Sequence, residues 1–135
     1  MDRDKLIELY KKYSLTANDV YKHQHYVIIT RQGIEKIQAK ENITINFEVV
    51  RCEPKFAVFK AYAYITNKPE TKIETFGSAL KGDNYKDGNC NSWYVAEMAE
   101  KRALSRSVLK LTGFYELGVF GEDESEDFKK NKLTK

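Results

Sequence analysis

Apolar positions recur along this chain with two different periods, and the change of period divides it into elements. In DRDKLIELYKKYSL (2–15), Leu6, Leu9, Tyr10 and Tyr13 share one side at helical spacing, which predicts a short amphipathic helix. TANDVYKHQ (16–24) reads as one or two further helical turns, with Thr16 as N-cap and Asp19 three residues on. HYVIIT (25–30) is short and β-branched, a strand. RQGIEKIQAKEN (31–42) returns to helical spacing, with Ile34, Ile37 and Gln38 on one side.

The period then becomes two. In ITINFEVVRC (43–52), Ile43, Ile45, Phe47 and Val49 face one way while Thr44, Asn46 and Glu48 face the other. FAVFKAYAYIT (56–66) sets Ala57, Phe59, Ala61, Ala63 and Ile65 against Phe56, Val58, Lys60, Tyr62 and Tyr64. TKIETFGSAL (71–80) makes a third strand, and EPK and NKPE supply the turns between them. After the polar loop KGDNYKDGNCN (81–91), a long helix is predicted over 92–112, capped by Asn91 or Ser92 and ended by Gly113. Strands joined by such tight turns run antiparallel, and a sheet with one apolar face needs cover. The expected fold class is therefore α+β: an antiparallel β-meander packed against a long C-terminal helix, with short N-terminal helices.

Composition narrows the class. At 135 residues, with 41% apolar and 32% charged positions, the chain suits one globular domain. The net charge of +3 is modest, but its distribution is uneven. Residues 1–120 carry 19 Lys/Arg against 15 Asp/Glu, whereas GEDESEDF (121–128) holds five acids and four lysines follow it. We expect one domain over 1–120 and a flexible tail over 121–135, acidic and then basic. The charged N-terminus lacks a signal-peptide h-region, and no apolar run approaches the ~20 residues of a membrane span. The expectation is a cytoplasmic protein with no membrane association, whose Cys52 and Cys90 stay reduced.

Within the long helix, Ala96, Ala99, Ala103, Leu104, Val108 and Leu111 form the expected buried stripe. Arg102, Arg106 and Lys110 stand on successive turns ~6 Å apart, close to the phosphate spacing of one nucleic-acid strand. Glu97 can pair with Lys101 at i,i+4, but no acid stands four residues from Arg106. A column of like charges invites an anion; the alternative is a solvated helix face.

The order strand, helix, meander, long basic helix over residues 25 to 120 resembles the core of the single-strand annealing proteins. That superfamily holds the eukaryotic Rad-fifty-two recombination mediator and the phage Erf, Sak and Redβ/RecT annealases. ITRQGIEKIQAKENITINFEVV is similar to the family's helix and first hairpin strand, FAVFKAYAYI…KIETFGSAL to its next two strands with Gly77 near a small-residue patch, and AEKRALSRSVLKLTGF to its helix. The glycine–aromatic order of LTGF and the lack of a long C-terminal region depart from the pattern. The resemblance implies DNA contact by Arg106 and Lys110, extended by Arg102 and flanked by Lys101, with Tyr26 and Arg31 as inner-site positions. It further implies ATP-independent annealing of complementary single-stranded DNA in phage-type homologous recombination within a bacterial host cell, by a homo-oligomeric ring or filament.

Other constellations weigh less. HQH (23–25) is read with Lys22, Tyr26 and Arg31 as polar edge or DNA-contacting surface rather than a zinc site. No phosphate-binding loop, paired catalytic carboxylates or nucleophile triad is present, so neither a cofactor nor enzymatic activity is expected. Lys60, Tyr62 and Tyr64 share a strand face that would serve a passive single-strand binder as a stacking platform, although packing beneath a helix is the commoner fate of such a face. Residues 121–128 could dock a host replication or repair protein, or imitate DNA in a protein–protein adaptor or host-factor antagonist.

Overall fold

Three extended segments with only Glu53–Lys55 and Thr66–Asn67 between them cannot cross over, so they pair in sequence as an antiparallel meander. A computed structural model, describing residues 3–23, 26–82 and 94–124, has this meander as β3 (Ile43–Cys52), β4 (Phe56–Ile65) and β5 (Lys68–Leu80), in spatial order β3-β4-β5. Before it come α1 (Arg3–Lys12), β1 (Val20–His23), β2 (Tyr26–Ile29) and α2 (Arg31–Glu41). After it come α3 (Val95–Thr112) and β6 (Val119–Gly121), with 3-10 turns at Tyr115–Leu117 and Glu122–Glu124. The fold is α+β, with a meander covered by a long C-terminal helix and a short helix at the N-terminus, as the periodicity predicts. Among the described residues no helix is long and apolar enough to cross a membrane.

The second sheet is a departure. The predicted turns at 16–24 are replaced by a tight turn and β1, which pairs antiparallel with β2. Thr16 does meet Asp19, whose Oδ2 accepts from the Thr16 amide at 2.9 Å and from its hydroxyl at 3.1 Å, but this closes a turn and starts no helix. β2 also takes β6 as a parallel partner, Ile28 opposite Phe120. Gly121 is the last residue of that strand, so ordered packing passes the expected boundary at 120.

α2 has the anticipated apolar side, with Ile34 and Ile37 fully buried. Its N-cap is Thr30, whose hydroxyl accepts from the Gly33 amide at 3.2 Å, and Asn42 at φ 56° turns the chain into β3. α1 is fastened through Tyr13, buried against Phe114 and donating its hydroxyl to Glu41 at 2.8 Å.

α3 is the centre of the molecule. One side lies on β4 and β5, over Ala57, Phe59 and Ala79; its C-terminal half meets β6 and α2, with Val108 and Leu109 in the core they share. The buried set is consequently wider than the predicted stripe. Ala99, Ala103 and Val108 are fully buried as expected, Ala96, Leu104 and Leu111 only partly, and Ser105, Ser107 and Arg102 join them. The helix begins at Val95; the anticipated caps Asn91 and Ser92 lie outside the described residues. Gly113, at φ 88°, ends it in the left-handed conformation that glycine adopts without steric cost.

Contact with β5 is backbone on backbone. A Cβ at Gly77 would fall 2.2 Å from the Ala99 carbonyl oxygen and 2.4 Å from the Ala103 nitrogen. Thr75, buried beside it, donates to the Ala103 carbonyl at 3.1 Å and shares a 2.7 Å hydrogen bond with Ser107. Gly77→Val must push helix and sheet apart, and is expected to cost about 3 kcal/mol or more, the upper part of the overpacking range. Urea denaturation of wild type and variant measures it; equal midpoints would mean that the helix does not sit this closely.

Candidate nucleic-acid interface

A helix presents one residue per turn at ~6 Å along a face, and a strand repeats every two residues at ~6.7 Å. The two spacings nearly match, so a column of side chains on α3 can serve successive carbonyls along β5. Arg102 and Arg106 do this. Arg102 is only 3% exposed; its Nη1 donates to the Ser78 carbonyl at 2.8 Å and its Nε to the Asp123 carbonyl at 3.0 Å. The Arg106 Nη1 donates to the Phe76 carbonyl at 2.9 Å. Ser78 and Phe76 are two apart, so their carbonyls point to the same edge of the strand. The expected phosphate-binding row is thereby corrected at its first member, the buried Arg102, which closes the edge of the meander sheet; Arg106 also reaches that edge but stays partly exposed. Lys110 remains exposed, with Nζ 5.3 Å from the centre of the Tyr115 ring. Lys101 is half-buried, and the anticipated ion pair with Glu97 does not form among the described residues.

The other sequence-predicted positions fall elsewhere. Arg31 opens α2, with Nε 3.3 Å from Glu35 and Nη1 3.8 Å from Asp123. Its amide donates to Glu122 at 3.0 Å, and Asp123 accepts from the Ser105 hydroxyl at 2.9 Å. The start of the acidic segment thus folds onto Arg102 and onto Arg31 at the start of α2 instead of opening a free tail; residues 125–128 lie outside the described residues. Tyr26 is half-buried, edge-on to Phe120 at 5.6 Å, and Phe120 meets Tyr115 at 6.0 Å. This run of rings connects Tyr26 to Lys110, as Asp123 connects Arg31 to Arg102. Lys22 is exposed on β1, in an open groove with Arg3, Ile7 and Tyr21. His25 and Cys90 lie outside the described residues, and Cys52 is exposed. Among the described residues no group of three His, Cys, Asp or Glu could hold a metal ion.

The outer face of the meander gathers aromatics and lysines. Expected to pack beneath a helix, Tyr62 and Tyr64 do not: α3 lies on the opposite side, over the alanines of β4. β4 and β5 pair so that Lys60 stands opposite Phe76 and Tyr62 opposite Glu74. Phe76 is 49% exposed, a large cost for a phenyl ring unless something covers it. The Lys60 ammonium is 5.1 Å from the Tyr62 ring centre and 5.6 Å from that of Phe76, and the Lys72 ammonium is 5.7 Å from Tyr62. Two acids hold this layer in place. Glu74 pairs with Lys60 at 2.7 Å, and Glu48 accepts the Tyr62 hydroxyl at 2.6 Å. The bond to Lys60 lowers the Glu74 carboxyl from its ordinary value, and the bond to Glu48 raises the Tyr62 hydroxyl. Phe76 and Lys72 were not singled out by sequence reasoning. Their signal was the alternation in TKIETFGSAL, which puts Lys72, Glu74 and Phe76 on one face opposite Thr75 and Gly77.

No protein-family model, curated protein or solved structure matches this chain.

The two roles of the α3 cations separate by mutation. Arg102→Ala strands the carbonyls of Ser78 and Asp123 and is expected to cost about 2 kcal/mol or more. Lys110→Ala, at an exposed position, should stay within ~0.5 kcal/mol of wild type. Denaturant titrations compare them; an Arg102→Ala domain as stable as wild type would remove the edge-closing role.

Proposed function

We propose that this chain is a single-stranded nucleic-acid-binding domain that holds its ligand on the outer face of the β3-β4-β5 sheet. The observation that carries the reading is the half-exposed Phe76 ring beside Tyr62, with Lys60 and Lys72 lying over the rings. Each base has a π-face, and stacking on an aromatic side chain contributes ~1–3 kcal/mol per base with little regard to sequence. The lysines serve the phosphates, so binding weakens as salt rises. Glu48 and Glu74 repel the same phosphates and keep affinity moderate.

Annealing of complementary strands is a second reading, favoured by the order of β2, α2, the meander and α3. Stacking occupies the face of a base and leaves its Watson–Crick edge free to pair. On this reading the protein acts without ATP during phage-type recombination in the bacterial cytoplasm, and several copies share a strand because one small platform holds few nucleotides. The passive binder uses the same surface but ends with sequestered strands.

Fluorescence anisotropy with a labelled single-stranded oligonucleotide, repeated at several salt concentrations, tests the proposal. Tyr62→Ala combined with Phe76→Ala should weaken binding about tenfold or more with the melting temperature little changed, equivalent to ~1.4 kcal/mol. Binding that ignores both salt and this substitution sinks the sheet-face reading. Glu74→Gln, which frees Lys60 and removes a repulsive charge, should strengthen binding; weaker binding by this variant would mean that the acid contacts the ligand. A stopped-flow annealing assay then separates the readings, since an annealing protein accelerates duplex formation and a passive binder slows it.

A further inference from the structure

Arginines close one edge of the meander sheet, at β5. The other edge belongs to β3, and among the described residues no strand pairs with it. This edge is ten residues long, and the five residues of its C-terminal half, Glu48 to Cys52, are all exposed. Val49 is 56% exposed and Val50 50% exposed. A long open edge with bare valines is a template for another strand.

We propose that a second copy of this chain pairs its β3 antiparallel with this edge, about a two-fold axis between Val49 and Val50, forming one six-stranded sheet. The argument is the strand's own complementarity. Glu48 and Arg51 are three apart, and in a regular strand they would face opposite ways. The register shift between Val49 and Arg51 inserts Val50 as an extra residue, so that Glu48, opposite Lys60, and Arg51, opposite Val58, both face outward. Antiparallel pairing centred there sets Glu48 against Arg51 of the second copy, and Arg51 against its Glu48. On the inner face Phe47 comes opposite Cys52, and the central valines cover one another. Opposite charges directly across an antiparallel pair stabilise it, while like charges would oppose it. The present partners of these charges, Tyr62 for Glu48 and Glu53 for Arg51, are exposed contacts that can rearrange. An unrelated strand would have no reason to meet a charge order that reads the same from both copies. Such isologous pairing consumes the open edge of each meander and stops at two copies.

The inference is independent of nucleic acid, and so is its test. Sedimentation velocity of the full chain without nucleic acid, over a range of concentrations, should give a dimer. Val49→Lys should weaken the dimer at least tenfold while thermal melting confirms the fold. Glu48→Arg alone should also weaken it, and Glu48→Arg together with Arg51→Glu should restore it. A wild-type monomer at all concentrations, a ring or filament of higher order, a dimer indifferent to Val49→Lys, or a double charge reversal no better than the single one would each overturn the proposal. A dimer that binds no single strand would overturn only the sheet-face function.

Discussion

The direct seating of α3 on β5 at Gly77 sets the terms for the rest of the molecule. With no side chain between them, helix and strand backbones come close enough for Thr75 to reach the Ala103 carbonyl, and for Arg102 and Arg106 to reach Ser78 and Phe76. The second sheet uses the same device: a Cβ at Gly121 would lie 2.9 Å from the Ser105 Cβ. α3 is held between two glycine contacts, and the small residues on it, Ala99, Ala103, Ser105 and Ser107, are what such proximity allows. Because one helix covers the meander from one side and sits toward β5, two surfaces are left over. They are the outer face of the sheet and the edge of β3.

The strands and their faces were legible because burial on one side enforces a period of two, and the alternation in FAVFKAYAYI reappears as alternating burial along β4. Gly113 was legible as a helix end because few other residues adopt a positive φ without strain. The β1–β2–β6 sheet was not. β1 is four residues and β6 three, too short to show a period, and β6 joins β2 across about ninety residues of chain. The platform was half legible: Lys60, Tyr62 and Tyr64 announced a shared face, but which face α3 would cover depended on Gly77, whose role appears only when the helix is in place.

The charges show where sequence reasoning about electrostatics fails. No acid stands four residues from Arg106 along the helix, so spacing alone leaves the cations for phosphate. Among the described residues the hydrogen bonds of Arg102 and Arg106 run to backbone carbonyls. Backbone carbonyls at a sheet edge have no signature in composition, yet a guanidinium with five donors satisfies them well. Asp123 and Glu122, counted in the sequence as a solvated tail, meet Arg31 from some ninety residues away. A charge sum over the chain is unaffected by these pairings, while the charge free to meet a ligand changes greatly.

The arrangement of the outer face follows the same logic in reverse. If the face served only to be wet, exposed Phe76 would be a liability without compensation, and polar residues would serve better. If it served only to bind polyanions tightly, Glu48 and Glu74 would be out of place. Together they describe a surface that holds its rings and lysines in fixed positions before any ligand arrives: Glu74 anchors Lys60, Glu48 anchors Tyr62, and the two lysines lie over the rings. On the proposed function, preorganisation would lower the entropic cost of stacking, and the acids would limit how strongly phosphates are retained. A strand held by its base faces and only weakly by its phosphates can be released into a duplex. Pairing through β3 would set two such surfaces side by side on one sheet, with the acids of each copy near the seam.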